Sequence, residues 1–157
     1  MKIVLLQIDK TQDSYIAEGI DIYAKRLKNY TSFEINTISM PKAVRQRSHN
    51  EQKQEEAKLI LAAILPEDQL ILLDEKGKEY TSVEFSGFIL QKQNASVKRL
   101  IFLIGGPFGF SELIYKRANS KISLSQMTFS HQMVRLFFAE QLYRAYTILK
   151  GEKYHHE

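Results

Sequence analysis

The chain has 157 residues, 44% of them hydrophobic, with eight tyrosines, nine phenylalanines and a formal net charge of +4 at pH 7. That length suits one domain that fills a core without covalent staples, and the absence of cysteine excludes disulfides and thiolate metal sites. No apolar run approaches the roughly 20 residues of a membrane helix, and the stretch after Met1-Lys2 is too short for a signal peptide. A soluble, cytoplasmic protein is expected, and its modest basic excess permits a polyanionic partner without establishing one.

Lys2 to Ile8 is a nearly continuous apolar run, as in a strand covered on both faces. Between Tyr15 and Tyr30, the positions Ile16, Ile20, Tyr23, Leu27 and Tyr30 recur at helical spacing, and Asp13 or Ser14 can cap that helix. Phe33, Ile35 and Ile38 suggest a second strand, ended by Met40-Pro41. The polar stretch Lys42 to Lys58 begins as a loop and passes into a helix that continues to Leu65 and stops at Pro66. Gln69 to Leu73 reads as a third strand and Asp74 to Lys78 as a turn. Thr81-Ser82-Val83-Glu84 is a capping box. Arg99 to Ile104, wholly apolar after Arg99, is the clearest strand of all. A loop from Gly105 to Phe110 leads into a short helix capped by Ser111. Ile122 to Leu124 is a last short strand, and a long helix from Ser130 or His131 to Lys150 stops at Gly151. The alternation predicts an α/β fold: a mostly parallel sheet with helices on both faces. With no repeat or linker, residues 1–157 are expected to form one domain.

Three places can carry chemistry. Ile104-Gly105-Gly106-Pro107-Phe108-Gly109-Phe110 follows the clearest strand, where ligands of open α/β sheets settle and where glycines let backbone amides approach a ligand. An ordinary strand-to-helix turn is the plainer alternative, and the spacing fits neither a Walker loop nor a dinucleotide fingerprint. Leu124 to Phe129 then runs into a helix start bearing His131 and Gln132; Leu124, Met127 and Phe129 can line a slot for a flat ring, or equally belong to the core. The closing helix carries apolar residues on more than one face, as in a buried helix or an oligomer interface. Arg135 and Arg144, about two and a half turns apart, are expected on one face. The adjacent His155 and His156 lack a third ligand, so no metal site is expected.

Taken in order, several pieces match a known pattern: Leu72-Leu73-Asp74 with its Gly-Lys turn, Phe102 to Pro107 with Gly109, and Met127-Thr128-Phe129. His131-Gln132-Met133 with Arg135, Glu140 to Ala145, and Tyr154-His155 continue it. Across essentially its whole length the chain resembles the RlmH family of SPOUT methyltransferases. The resemblance implies a homodimer with a deep C-terminal trefoil knot (SPOUT-like) that holds S-adenosylmethionine, mainly by backbone. Carried over by position, the cofactor contacts are Leu73, Gly105, Leu124, Ser125, Gln126, Met127, Thr128 and Phe129. The implied reaction methylates N3 of a pseudouridine in 23S ribosomal RNA on the assembled ribosome. Arg144, Tyr154 and His155 are expected around the target base, with His131 as a reserve base. Lys25, Lys28, Arg45, Arg47, Lys116 and Arg117 are candidate phosphate contacts. Many relatives carry proline where Ser130 stands, a departure that a serine N-cap can absorb. Two alternatives stand beside this: a SPOUT enzyme acting on tRNA or a ribose 2′-hydroxyl, and a catalytically inactive RNA- or ribosome-binding module.

Overall fold

A computed structural model describes residues 1–156. Five strands form one sheet: β1 (Lys2–Ile8), β2 (Ser32–Ile38), β3 (Gln69–Glu79), β4 (Arg99–Ile104) and β5 (Ser120–Ser123). Six helices alternate with them: α1 (Ser14–Leu27), α2 (Lys42–Arg45), α3 (His49–Ala63), α4 (Ser82–Asn94), α5 (Glu112–Arg117) and α6 (His131–Leu149). The strand order is β2-β1-β4-β3-β5, and every neighbouring pair is parallel.

The continuous apolar runs of β1 and β4 are needed because both faces of the sheet are covered. Ile3, Leu5, Ile71, Leu100 and Phe102 point to one side, where Leu27 of α1, Phe85 and Ile89 of α4, and Phe138, Leu142 and Tyr146 of α6 meet them. Val4, Leu6, Leu70, Leu72, Ile101 and Leu103 point to the other, against Ala57 and Ile60 of α3 and Ile114 of α5. Steps along the sheet in one direction (β1 to β2, β3 to β4) cross over the first face, and steps in the other (β2 to β3, β4 to β5) cross over the second. That pairing of direction with face is what a single crossover hand requires.

Local signals set most boundaries. Thr81 and Glu84 form the expected capping box, and a second one, Ser48 with Glu51, opens α3. Ser130 Oγ accepts the Met133 amide at 3.2 Å, so the serine does cap α6. Asp13 and Ser111 hold N-cap positions without a side-chain cap bond. Helix α3 ends at Ala63, and Ile64 is already extended, two residues before Pro66. The last strand is Ser120–Ser123, which leaves Leu124 in the following loop.

The stretch read as a turn, Asp74 to Lys78, lies inside a longer strand. β3 pairs with β5 up to Leu73↔Ile122 and resumes at Lys78↔Ile122, so residues 74–77 bulge out of the ladder. Asp74 Oδ1 accepts the Lys76 amide at 2.8 Å and turns the bulge. Gly77 then presses on β5 so closely that a Cβ there would lie 2.5 Å from the Ile122 carbonyl carbon. Gly77→Ala is therefore expected to cost about 1–3 kcal/mol, the usual penalty of overpacking. Urea denaturation would show it as a lower midpoint at an unchanged m-value; an unshifted midpoint would contradict the close approach.

Candidate functional site

Because β3, β4 and β5 are adjacent and parallel, their carboxyl ends open onto one rim. A cleft of about 760 Å³ lies there, within the usual size of small-molecule sites. Leu73 to Lys76 come from the middle of β3 and its bulge, Ile104 to Phe110 from the end of β4 and the loop after it, and Ile122 to His131 (Gln126 excepted) from the end of β5, the loop after it and the first turn of α6. Lys53, Glu112, Tyr115 and Val134 complete the wall.

The loops are shaped by their own sequence. Ser123 Oγ donates to the Ser125 carbonyl at 2.8 Å, and Ser125 Oγ accepts the Met127 amide at 2.9 Å, folding residues 123–127 into a tight turn. Gly109 has φ +76°, a conformation that favours glycine. A Cβ on Gly105 would come within 2.7 Å of the Phe110 ring, so the glycine lets that ring close under the loop. The Tyr115 hydroxyl donates to Asp74 Oδ2. Burial first, and then that carboxylate, push the Tyr115 phenol well above its ordinary pKa and keep it neutral.

Seven of the eight positions assigned to a cofactor line this cleft: Leu73, Gly105, Leu124, Ser125, Met127, Thr128 and Phe129. Gln126 does not; it is exposed, and its side chain donates to Glu79 at 3.3 Å. Met127 is 74% exposed, and the Phe129 ring rests on Phe137 at 4.8 Å between centroids. His131 stands at the rim, where desolvation and then the Arg135 guanidinium lower its pKa and favour the neutral imidazole.

Arg144, Tyr154 and His155 also come together. Arg144 pairs with Glu140 at 2.6 Å, lies over the Tyr154 ring with its guanidinium carbon 4.7 Å from the centroid, and reaches His155 Nδ1 at 3.4 Å. Tyr154 donates to the same Glu140 oxygen at 3.0 Å, and its hydroxyl lies 3.3 Å from that of Tyr23. Burial, Tyr23 and Glu140 push the Tyr154 phenol up, so it is a neutral donor near pH 7 and not a base. Sequence reasoning left Glu140 and Tyr23 without a role here. The signal for Glu140 was available, since a carboxylate four residues before an arginine on a helix is a pairing position.

These two clusters do not form one site within a single chain. Arg144 lies ten residues beyond Val134 along α6, a rise of about 15 Å from the cleft wall. Nor do Arg135 and Arg144 share a face, because two and a half turns is half a turn out of phase. Arg135 is fully buried and donates to the Ile8 carbonyl at 2.7 Å, the Asp9 carbonyl at 3.1 Å and Thr11 Oγ1 at 3.1 Å, tying α6 to the end of β1.

Among the candidate phosphate contacts, Arg117 is committed to the Leu65 and Asp68 carbonyls at 2.8 and 3.0 Å. Arg45 pairs with Asp9, Arg47 with Glu55 and Lys25 with Asp21. Lys28 and Lys116 make no ion pair among the described residues. No cluster of three metal-ligating side chains occurs among the described residues, and no helix is long and apolar enough to cross a membrane.

Against this geometry stands one comparison of families: a profile described as "Predicted SPOUT methyltransferase" matches residues 1–155. The chain belongs to the SPOUT methyltransferase family. Two of its relatives carry the name Ribosomal RNA large subunit methyltransferase H. One, from Cytophaga hutchinsonii, is 58% identical over 99% of this chain and 100% of its own. The other, from Parabacteroides distasonis, is 54% identical over the whole of both chains. Among solved structures, a probable methylase family protein from Haemophilus influenzae Rd KW20 superposes with a TM-score of 0.50 at 12% identity, covering 99% of this chain and 70% of that one. At that identity the likeness concerns the fold alone, and it agrees with the parallel α/β sheet of this SPOUT chain.

Arg135→Met tests the structural role given to Arg135 in this family member. It strands the buried Ile8 carbonyl and two half-buried acceptors just after β1, and a loss on the order of 3 kcal/mol is expected in chemical denaturation. Unchanged stability would contradict that structural role.

Proposed function

We propose that the protein transfers a methyl group from S-adenosylmethionine to N3 of a pseudouridine in 23S ribosomal RNA, acting as a homodimer on the assembled ribosome. The observation that carries this reading is the cleft at the rim of β3, β4 and β5, in a SPOUT chain more than half identical to proteins named as methyltransferases of large-subunit ribosomal RNA.

The cleft suits a sulfonium nucleotide. Leu73, Ile104, Leu124 and Phe129 offer apolar walls to a flat base, backbone groups of Gly105 and residues 124–128 can read its edge, and Asp74, Glu75 and Glu112 suit hydroxyls and an ammonium group. Bound there, the cofactor supplies an already activated methyl carbon. The chain's own tasks are to bring the acceptor nitrogen in line with that carbon and to ease loss of the N3 proton. Arg144 supplies positive charge that favours the deprotonated imide. Tyr154, neutral, offers a ring face and a hydroxyl to the base. His155 orients or accepts the proton. While its Nδ1 accepts from Arg144 the imidazole proton sits on Nε2, so the ring becomes a base only when RNA draws Arg144 away.

Arg144, far along α6, and the tail residues Tyr154 and His155 gathered beside it sit too far from their own chain's cleft to reach it, and a second copy can bring its cluster there. Exposed apolar side chains on the same helical layer, Tyr15 and Ile22 of α1 and Phe137 of α6, give such a copy a surface to cover. The knot is part of this reading. The extension of β3 pairs again with β5 past its bulge, and α6 then returns against both α1 and α4, a path compatible with a C-terminal segment drawn through an earlier loop. The six candidate phosphate contacts need not act singly: RNA recognition is shared between the two copies, with Lys28 and Lys116 as the unpaired phosphate contacts of each.

The test is methyl transfer to purified ribosomes and to free 23S RNA, with calorimetry of cofactor binding alongside. The wild-type protein is expected to bind S-adenosylmethionine and to methylate ribosomes in preference to free RNA. His155→Ala should lower turnover by about a hundredfold or more, in the range of general acid–base effects, at unchanged cofactor affinity. Binding without transfer to either substrate would favour the inactive ribosome-binding module, and a methyl group mapped to tRNA or a ribose would favour the other SPOUT activities.

A further inference from the structure

The loop that carries Gly105 is held from behind by a residue outside the cleft. Glu56 of α3 is 8% exposed and follows the core stripe of Ala57 and Ile60. The only other buried carboxylate among the described residues, Asp68, has Arg99 at 2.7 Å. Glu56 has no such cation among the described residues, and its charged neighbour is a second carboxylate, Asp9. Burial pushes its carboxyl above the usual range. A lone buried carboxylate disfavours folding relative to an apolar side chain of similar size, so its place in the core calls for another explanation.

That explanation lies in its one hydrogen bond: Oε1 accepts the Gly106 amide at 3.2 Å. The other oxygen occupies the space a side chain at 106 would need, since a Cβ there would lie 2.7 Å from Oε2. The peptide joining Gly105 to Gly106 is trans, and in a planar trans peptide the N–H and C=O point opposite ways. An amide turned toward α3 therefore turns the Gly105 carbonyl away from α3. The same face of α3 touches the loop elsewhere: His49 stacks on Phe108 at 3.7 Å, and Lys53 lines the cleft.

We infer that Glu56 is a positioning residue for the methyl donor, fixing the Gly105 carbonyl as a hydrogen-bond acceptor in the cleft wall without touching the ligand. This rests on the reading of the cleft as the S-adenosylmethionine site. A flexible glycine pair would otherwise sample both orientations of that peptide, and only one presents the acceptor.

Calorimetry with S-adenosylmethionine, kinetics on ribosomes and urea denaturation test it on wild type, Glu56→Leu and Glu56→Gln. Leucine removes the acceptor and the buried charge together. Its Kd and KM for the cofactor are expected to rise about tenfold, the scale of one hydrogen bond to a charged group, with the loss falling on KM rather than kcat and stability unchanged or higher. Glutamine keeps an acceptor for the Gly106 amide and should recover most of the affinity. Wild-type affinity in Glu56→Leu would overturn the inference, as would parallel loss of binding and stability that glutamine does not rescue. A wild-type protein that fails to bind would sink the cofactor reading itself, and this inference with it. If Glu56→Leu does not fold, Gly106→Ala takes its place: its Kd should rise in the native background and much less beside Glu56→Ala, and additive effects would overturn the proposal.

Discussion

The cleft exists because β3 is hydrogen-bonded on one edge to β4 and on the other to β5, all three running the same way. Parallel strands end at a common rim, and the loops that leave them have only that rim to share. The β3 bulge and two loops from distant parts of the sequence therefore meet at one place. Had β5 added beside β2 at the far edge, the loop of residues 124–130 would stand three strands from the glycine loop, with β3 no longer between them. The β3–β5 ladder fixes the meeting, and Gly77 lets the bulge in β3 lie close enough to β5 to complete it.

Around that ladder, the structure keeps polar groups where they direct backbone. Arg135 is buried with three acceptors at the end of β1, Glu56 with one donor in the glycine loop, and Ser123 and Ser125 with the turn they make between them. Each shapes a connection whose main-chain groups face the cleft or its margin. A site that reads its ligand mainly by backbone depends on side chains behind the backbone, and these are the side chains a list of cleft residues omits. The tail cluster works differently, through side chains that face outward: one carboxylate, Glu140, gathers Arg144 and Tyr154 around itself.

Much of the fold was legible because its signals are local. Alternation and apolar runs marked the strands, and Thr81 with Glu84 marked the start of α4. The interior extension of β3 was not legible: Asp74 to Lys78 has the composition of a turn, and only pairing with a strand some forty residues later makes it a bulge. The glycine loop and the run from Leu124 to Phe129 were readable as a pair through resemblance to a family, since neither stands out alone. Gln126 sends its side chain out of the cleft toward Glu79, because a contact carried over by position does not say which way a side chain points. Arg135 was misread because two and a half turns of helix, which end half a turn out of phase, were taken to return to the same face. Glu56 escaped notice because a glutamate in a helix rich in Glu, Gln and Lys looks like solvated surface until the fold buries it.

In the proposed reading, the bulge of β3 and the loops after β4 and β5 grip the methyl donor, while the tail waits for RNA. Hydrogen–deuterium exchange of the protein with and without S-adenosylmethionine tests it most directly. Added cofactor should protect amides within residues 104–110 and 123–130 and leave residues 150–156 unchanged. Protection confined to the tail, with those two loops exchanging as before, would contradict it.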